Sequence, residues 1–169
     1  TKEIWKNCNI SSAAIGTIGL ITDRYKKKLP LTTIDSIQLH QILTSLYKKK
    51  INHLCIEASS HGLEQNRIDN IKINTAAFTN FSHDHLDYHK SFENYLKSKM
   101  ILFNKLMNKS SKIIYDTDIL QSKILKSIST KKKLNPITIG KKNSDLKIIN
   151  HRFVGNEQET KFTFNNNTY

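Results

Sequence analysis

Two apolar runs in this chain each end in groups that can hold a metal ion or move a proton. The first stops in Glu57-Ala58-Ser59-Ser60-His61-Gly62 and the second in His83-Asp84-His85-Leu86-Asp87-Tyr88-His89. Strand ends of this kind point to the carboxyl edge of a parallel sheet, where open α/β folds bind their ligands. Glu57 closes an apolar strand and offers Mg²⁺ a hard carboxylate oxygen; the plainer reading is a solvated strand terminus. Ser59, Ser60 and His61 can donate hydrogen bonds to an anionic substrate, although a simple polar turn has the same composition.

The histidine cluster comes within one residue of the H-x-H-x-D-H signature of zinc hydrolases. Tyr88 separates Asp87 from His89 and spoils the ligand spacing. A zinc hydrolase using His83, His85 and His89 therefore stands as an alternative, beside a capping and turn segment with no metal. Lys99 lies on the apolar face of a helix, three or four residues from Tyr95, Leu96, Leu102 and Phe103. It reads as a snorkelling side chain, as a buried ion-pair partner, or as a neutral amine able to take up carbon dioxide. In the last case the carbamate replaces a cation by a two-oxygen ligand for Mg²⁺, and burial supplies the lowered pKa that this chemistry needs.

The elements that must position these groups follow from periodicity. Residues 1–8 read as helix and Ser12 to Gly19 as a strand running into a glycine-bearing loop. Ile37, Leu39, Ile42, Leu43, Leu46 and Tyr47 recur at helical spacing behind the segment Thr32-Thr33-Ile34-Asp35-Ser36, which offers N-cap residues, so a helix spans 35–50. Strands follow at 53–58 and 75–81, with a loop or short helix between them. A helix begins near Ser91 with Phe92, Tyr95, Leu96, Leu102, Phe103 and Leu106 on one face. A strand at 112–115, a helix at 118–129 and a strand at 136–139 come next. From Leu146 the pattern alternates, as in Lys161-Phe162-Thr163-Phe164, which suits an antiparallel ribbon. The fold class is α/β, with a mainly parallel sheet flanked by helices and a small antiparallel extension.

At 169 residues the chain fits one domain but is short for an enzyme with several substrates. Both ends read as cut through an element. The net charge of +13 raises nucleic acid as a partner, yet only Arg24, Arg67 and Arg152 carry the guanidinium fork that phosphate and base recognition favours. The lysines are spread through a background rich in Ile and Asn, so nucleic-acid binding is set aside. Cys8 and Cys55 have no motif spacing and read as buried, reduced thiols, which places the protein in the cytoplasm. No stretch approaches the roughly 18 apolar residues of a membrane span.

The string Glu57 to Arg67 (E-A-S-S-H-G-L-E-Q-N-R), together with Thr79-Asn80 through His89 and Tyr95 through Lys99, resembles the central domain of the Mur ligases. Gly16-Thr17-Ile18-Gly19 and Thr32-Thr33 extend the likeness, which is good over 12–115 and weaker beyond. Within the family it is nearest to the branch that adds the third amino acid to UDP-N-acetylmuramoyl-L-alanyl-D-glutamate in peptidoglycan synthesis. Folylpolyglutamate synthase is a nearby alternative, and the S-S-H-G-L-x-Q-x-R string argues against it.

The resemblance implies an ATP-dependent amide ligase. The substrate carboxylate attacks the γ-phosphate of ATP, and the amine of meso-diaminopimelate or L-lysine displaces phosphate from the acyl-phosphate. It assigns Thr32, Thr33, Ser59, Gln65 and Arg67 to the UDP-muramoyl dipeptide, and Glu57 and His85 to Mg²⁺. Lys99 corresponds to the family's carboxylated lysine, a third group at the metal. The resemblance also implies a cytoplasmic, monomeric enzyme. Departures accompany the likeness. The glycine-rich G-T-N-G-K-T loop is absent and belongs just upstream of Thr1, and the amino- and carboxyl-terminal domains are missing, so the chain alone is expected to be inactive. Ile34 replaces a frequent proline, and Tyr115-Asp116-Thr117-Asp118 replaces an N-A-D-D-like segment near the nucleotide base.

Overall fold

The computed structural model describes residues 1–82 and 84–169. The chain divides into two units, Thr1–Ile71 with His85–Ile101, and Lys72–Asp84 with Leu102–Tyr169.

In the first unit, α1 (Lys2–Asn7) leads into β1 (Ser12–Gly16), β2 (Gly19–Ile21) and β3 (Lys26–Lys27). Then come α2 (Ser36–Lys48), β4 (His53–Ile56), α3 (Ser60–Glu64), α4 (Leu86–His89) and α5 (Phe92–Ile101). The sheet order is β3-β2-β1-β4. β1 is central, and its residues Ser12, Ala13 and Ile15 are buried. It pairs in parallel with β4, Ala13 opposite Leu54 and Ile15 opposite Ile56, and antiparallel with β2. The parallel pair requires a crossover, and α2 lies within it.

The start of α2 is fixed by Asp35, whose side chain accepts from the Gln38 amide at 2.9 Å. Its buried stripe is Leu39 and Leu46, with Ile42 and Leu43 half-buried between them. Ile37 and Tyr47, assigned by spacing to the same face, are 73% and 78% exposed. The helical period places only four of those six residues on the inner arc, and apolar identity alone did not separate them.

The second unit holds β5 (Ile73–Phe78), a π-helical turn (Leu102–Leu106), β6 (Met107–Asp116), α6 (Ser122–Lys132), β7 (Asn135–Gly140), β8 (Leu146–Val154), β9 (Glu157–Phe164) and β10 (Asn167–Thr168). Its six strands run β10-β9-β8-β7-β6-β5. β5 to β8 pair in parallel, and β8 to β10 are antiparallel. Phe78, Phe103, Met107, Ile113, Tyr115 and Leu125 form its core, with Phe78 and Phe103 ring centres 6.1 Å apart. Lys132 Nζ donates to the carbonyls of Asn104 at 2.6 Å and Met107 at 2.7 Å, satisfying oxygens where the π-helical turn passes into β6.

The α/β architecture, the parallel strands and the antiparallel extension agree with the sequence reading. The strands are nevertheless distributed over two sheets, because pairing is set by contacts distant along the chain. The thiols also differ from expectation. Cys8 is exposed and Cys55 half-buried, both free, since α1 ends at Asn7 and leaves Cys8 outside the core. Among the described residues, no helix is long and apolar enough to cross a membrane.

Candidate active site

The candidate residues that the ligase resemblance assigns, Thr32, Thr33, Glu57, Ser59, Gln65, Arg67, His85 and Lys99, lie in the first unit. Glu57 follows β4 directly, and its amide donates to the Ile15 carbonyl at 2.8 Å, prolonging the parallel ladder by one bond. Its carboxylate Oε2 accepts from both the amide and the hydroxyl of Thr17, each at 3.0 Å. The single Thr17 proton is thereby committed, so the 3.1 Å contact between the Thr17 and Thr32 hydroxyls has Thr32 as donor. Gly16 makes this approach possible, because a Cβ there would stand 2.6 Å from Glu57 Oε2 and 3.1 Å from Glu57 Cβ. Glu57 is exposed and Oε1 takes no hydrogen bond from the described residues.

Thr33 is the support beneath the loop. It is 1% exposed, donates its hydroxyl to the Glu57 carbonyl at 2.8 Å, and accepts from the amide and hydroxyl of Ser59 at 2.9 and 3.0 Å. One donor and two acceptor positions are thus filled. Ser59 also caps α3, accepting from the Gly62 amide at 3.1 Å. Gly62 has no room for a side chain, since a Cβ would lie 2.5 Å from Thr33 Cγ2. Arg67 Nη1 donates to the Thr33 carbonyl at 2.7 Å, and Nη2 donates to Gln65 Oε1. Gln65 Nε2 in turn donates to the Tyr88 hydroxyl at 3.0 Å. Thr32, Thr33, Ser59, Gln65 and Arg67 therefore share one loop network with Glu57.

His85 occupies the N-cap of α4 in the left-handed region, φ +55°, a conformation costing of order 1 kcal/mol for a non-glycine residue. Its ring lies edge-on to Tyr95 at 5.9 Å. Lys99 Nζ is 5.3 Å from the centre of the same ring, within cation–π range, and the residue is half-buried. Tyr95 is thus common ground for His85 and Lys99, whereas the side-chain bonds of Glu57 run to Thr17. His61 stands beside His85, with ring centres 5.0 Å apart, and 4.0 Å from Tyr88. Burial, aided by the neighbouring His85 and His89, pushes its imidazole below the ordinary histidine range, against the pull of Asp87.

Among the described residues, no group of three His, Cys, Asp or Glu side chains is arranged to hold a metal ion. Zinc held wholly by protein needs such a group. His83 lies outside the described residues, and both ring nitrogens of His89 face Ser60 and Glu64 rather than open space. The zinc hydrolase is therefore not favoured. Magnesium has a different requirement, keeping several waters and relying on one or two carboxylates with substrate phosphates. An exposed Glu57 with an uncommitted oxygen fits that donor set.

The model of the Mur ligase middle domain matches residues 1–169, the whole chain. The chain belongs to the Mur ligase family. It is 42% identical over 118 residues to the UDP-N-acetylmuramoyl-L-alanyl-D-glutamate–2,6-diaminopimelate ligase of Rhizobium meliloti (strain 1021), covering 70% of this chain and 24% of that protein. It is 37% identical over 171 residues to the ligase of the same name from Rickettsia bellii (strain RML369-C), covering 99% of this chain and 36% of that protein. A solved structure of such a 2,6-diaminopimelate ligase superposes with a TM-score of 0.86 at 24% identity, over 99% of this chain and 34% of that one. This Mur ligase domain spans about a quarter to a third of the curated relatives it matches.

Several residues of the site were not singled out by sequence. Thr17, Tyr95 and Glu64 are ordinary in type, and only their contacts give them a role. The glycine preceding Thr17 is the one signal that a close approach occurs there.

Proposed function

We propose that this domain serves a longer ATP-dependent ligase that joins a diamino acid, diaminopimelate or L-lysine, to UDP-N-acetylmuramoyl-L-alanyl-D-glutamate. The observation that carries the reading is the shared network of Glu57, Thr33, Ser59, Gln65 and Arg67, in a chain matched throughout by the Mur ligase middle domain. Arg67 is the natural partner for the anionic groups of the dipeptide, because a guanidinium binds carboxylate or phosphate through two parallel donors. Thr33 and Ser59 act on the substrate chiefly by holding the loop that presents Gln65 and Arg67. Thr32 is the more accessible of the two threonines and is suited to direct contact.

Glu57 and His85, with Lys99 carried as its carbamate, are the residues proposed to hold Mg²⁺. When bound, the ion supplies charge neutralisation as phosphoryl transfer proceeds, the main electrostatic demand of such a reaction. Thr17 fixes Glu57 by two hydrogen bonds to one oxygen, leaving the other available. Tyr95 supports Lys99, and a carbamate there turns a repelling cation into an anionic ligand. The product amide forms when the incoming amine attacks the acyl-phosphate and phosphate leaves. Such an enzyme, acting on a nucleotide-linked precursor, belongs in the cytoplasm.

The experiment is phosphate release from ATP with the UDP-dipeptide and each diamino acid, measured for the complete ligase and for the 169-residue chain alone. The complete ligase is expected to release phosphate in step with amide formation, and the chain alone to release none. Equal rates from both would contradict the proposal.

A further inference from the structure

His89 has no task in the ligase reading, yet it is 4% exposed and bonded on both sides. Nε2 lies 2.9 Å from Ser60 Oγ, and Nδ1 lies 3.1 Å from Glu64 Oε2 and 3.4 Å from Ser98 Oγ. A neutral ring with its proton on Nδ1 donates to the Glu64 carboxylate and accepts from the Ser60 hydroxyl. Serine, imidazole and carboxylate in that order match a hydrolase triad. Ser60, however, is 3% exposed, so no substrate carbonyl can reach its oxygen, and a nucleophilic role drops out.

What remains is a clamp. One side chain ties Ser60 and Glu64 of α3 to Ser98 of α5, and Ser98 Oγ also donates to Glu64 Oε2 at 3.1 Å. The His89 ring further stacks on Tyr95, with centres 5.2 Å apart and planes at 27°. Tyr95 is the ring on which His85 and Lys99 meet.

We infer that His89 is a positioning residue for the magnesium-side groups: by locking α3 to α5 and fixing the Tyr95 ring, it sets where His85 and Lys99 stand. The inference rests on the proposed ligase reading, since that reading gives His85 and Lys99 their part. Partners of this kind orient groups without touching the metal, and their loss typically costs about ten- to hundredfold in metal affinity.

The test uses the complete ligase with Mn²⁺ as the probe, its binding followed by electron paramagnetic resonance without ATP, alongside kcat and KM. His89→Leu is expected to weaken Mn²⁺ binding by about ten- to hundredfold and to lower kcat, with KM for the UDP-dipeptide little changed. His89→Asn, which keeps a donor toward Glu64, is expected to recover part of the loss. Glu57→Gln is the control for the underlying site. If it binds Mn²⁺ like the wild type, the metal assignment itself fails; if it loses Mn²⁺ while His89→Leu retains wild-type affinity, the clamp alone is wrong. Should His89→Leu not fold, Ser60→Ala decides, since it removes only the hydroxyl facing Nε2. Weakened Mn²⁺ binding supports the clamp, and wild-type affinity overturns it.

Discussion

Glu57 Oε2 sits 3.0 Å from both the amide and the hydroxyl of Thr17, forty residues earlier in the chain, where Gly16 leaves the space for it. The carboxylate is thereby aimed before any ligand arrives. Gly16→Ala puts a methyl group into that space and must displace Glu57. In the complete ligase, activity is expected to fall about ten- to hundredfold, as for loss of an orienting partner, with the unfolding temperature changed much less. Wild-type activity in the variant would show that the aim of Glu57 is unimportant.

Lys99 gives a second prediction. Lys99→Ala removes the amine that the proposed carbamate needs, so ligation is expected to be abolished and added bicarbonate to have no effect. A small carboxylic acid able to occupy the gap is expected to restore part of the activity. An alanine variant that ligates at the wild-type rate ends the carbamate proposal.

Asp145 supplies a pH dependence in the second unit. Hydrogen bonds donated by the amide and hydroxyl of Thr138, both at 2.7 Å, hold its carboxyl below the usual carboxylate range. A lowered folded pKa gives stability that is present above the unfolded value of about 3.9 and lost as pH falls through the folded value. Asp145→Asn is therefore expected to be less stable than wild type to urea at pH 7, with the gap closing in strong acid. A gap independent of pH would contradict this.

Asp35 tests the origin of α2. Its carboxylate accepts from the Gln38 amide, and loss of such a cap costs about 1 kcal/mol. In Asp35→Ala, hydrogen exchange at the first amides of α2 is expected to quicken by roughly fivefold, the equivalent of that energy. Unchanged exchange would place the start of the helix under the control of packing alone.

The elements were legible where one periodicity persisted. Leu39, Ile42, Leu43 and Leu46 announced α2, and the alternation after Leu146 announced β8 and β9. Boundaries shifted by a few residues, as at β6, which begins at Met107 rather than Lys112, and at α6, whose first turn begins at Ser122 rather than Asp118. Asp118 instead accepts from the Lys141 amide at 2.9 Å, a contact made across 23 residues that no local pattern records. The same limit applies to the site. Glu57 and Lys99 could be noticed from residue type and placement, Lys99 because a lysine on an apolar helix face is unusual, and Glu57 chiefly through the string it opens, since a carboxylate at a strand end is common. Thr17, Tyr95 and Glu64 are unremarkable until the fold brings them to their partners. His89 drew notice as a zinc ligand, and its burial between Ser60 and Glu64 changes that reading.

The most direct measurement of the central claim is the anomalous scattering of Mn²⁺ in crystals of the complete ligase with a non-hydrolysable ATP analogue. A peak is expected about 2 Å from oxygen of Glu57 and nitrogen of His85, with additional density for a carbamate on Lys99 facing the same ion. A peak elsewhere, with Glu57 still engaged only by Thr17 and Lys99 an unmodified amine, would contradict it.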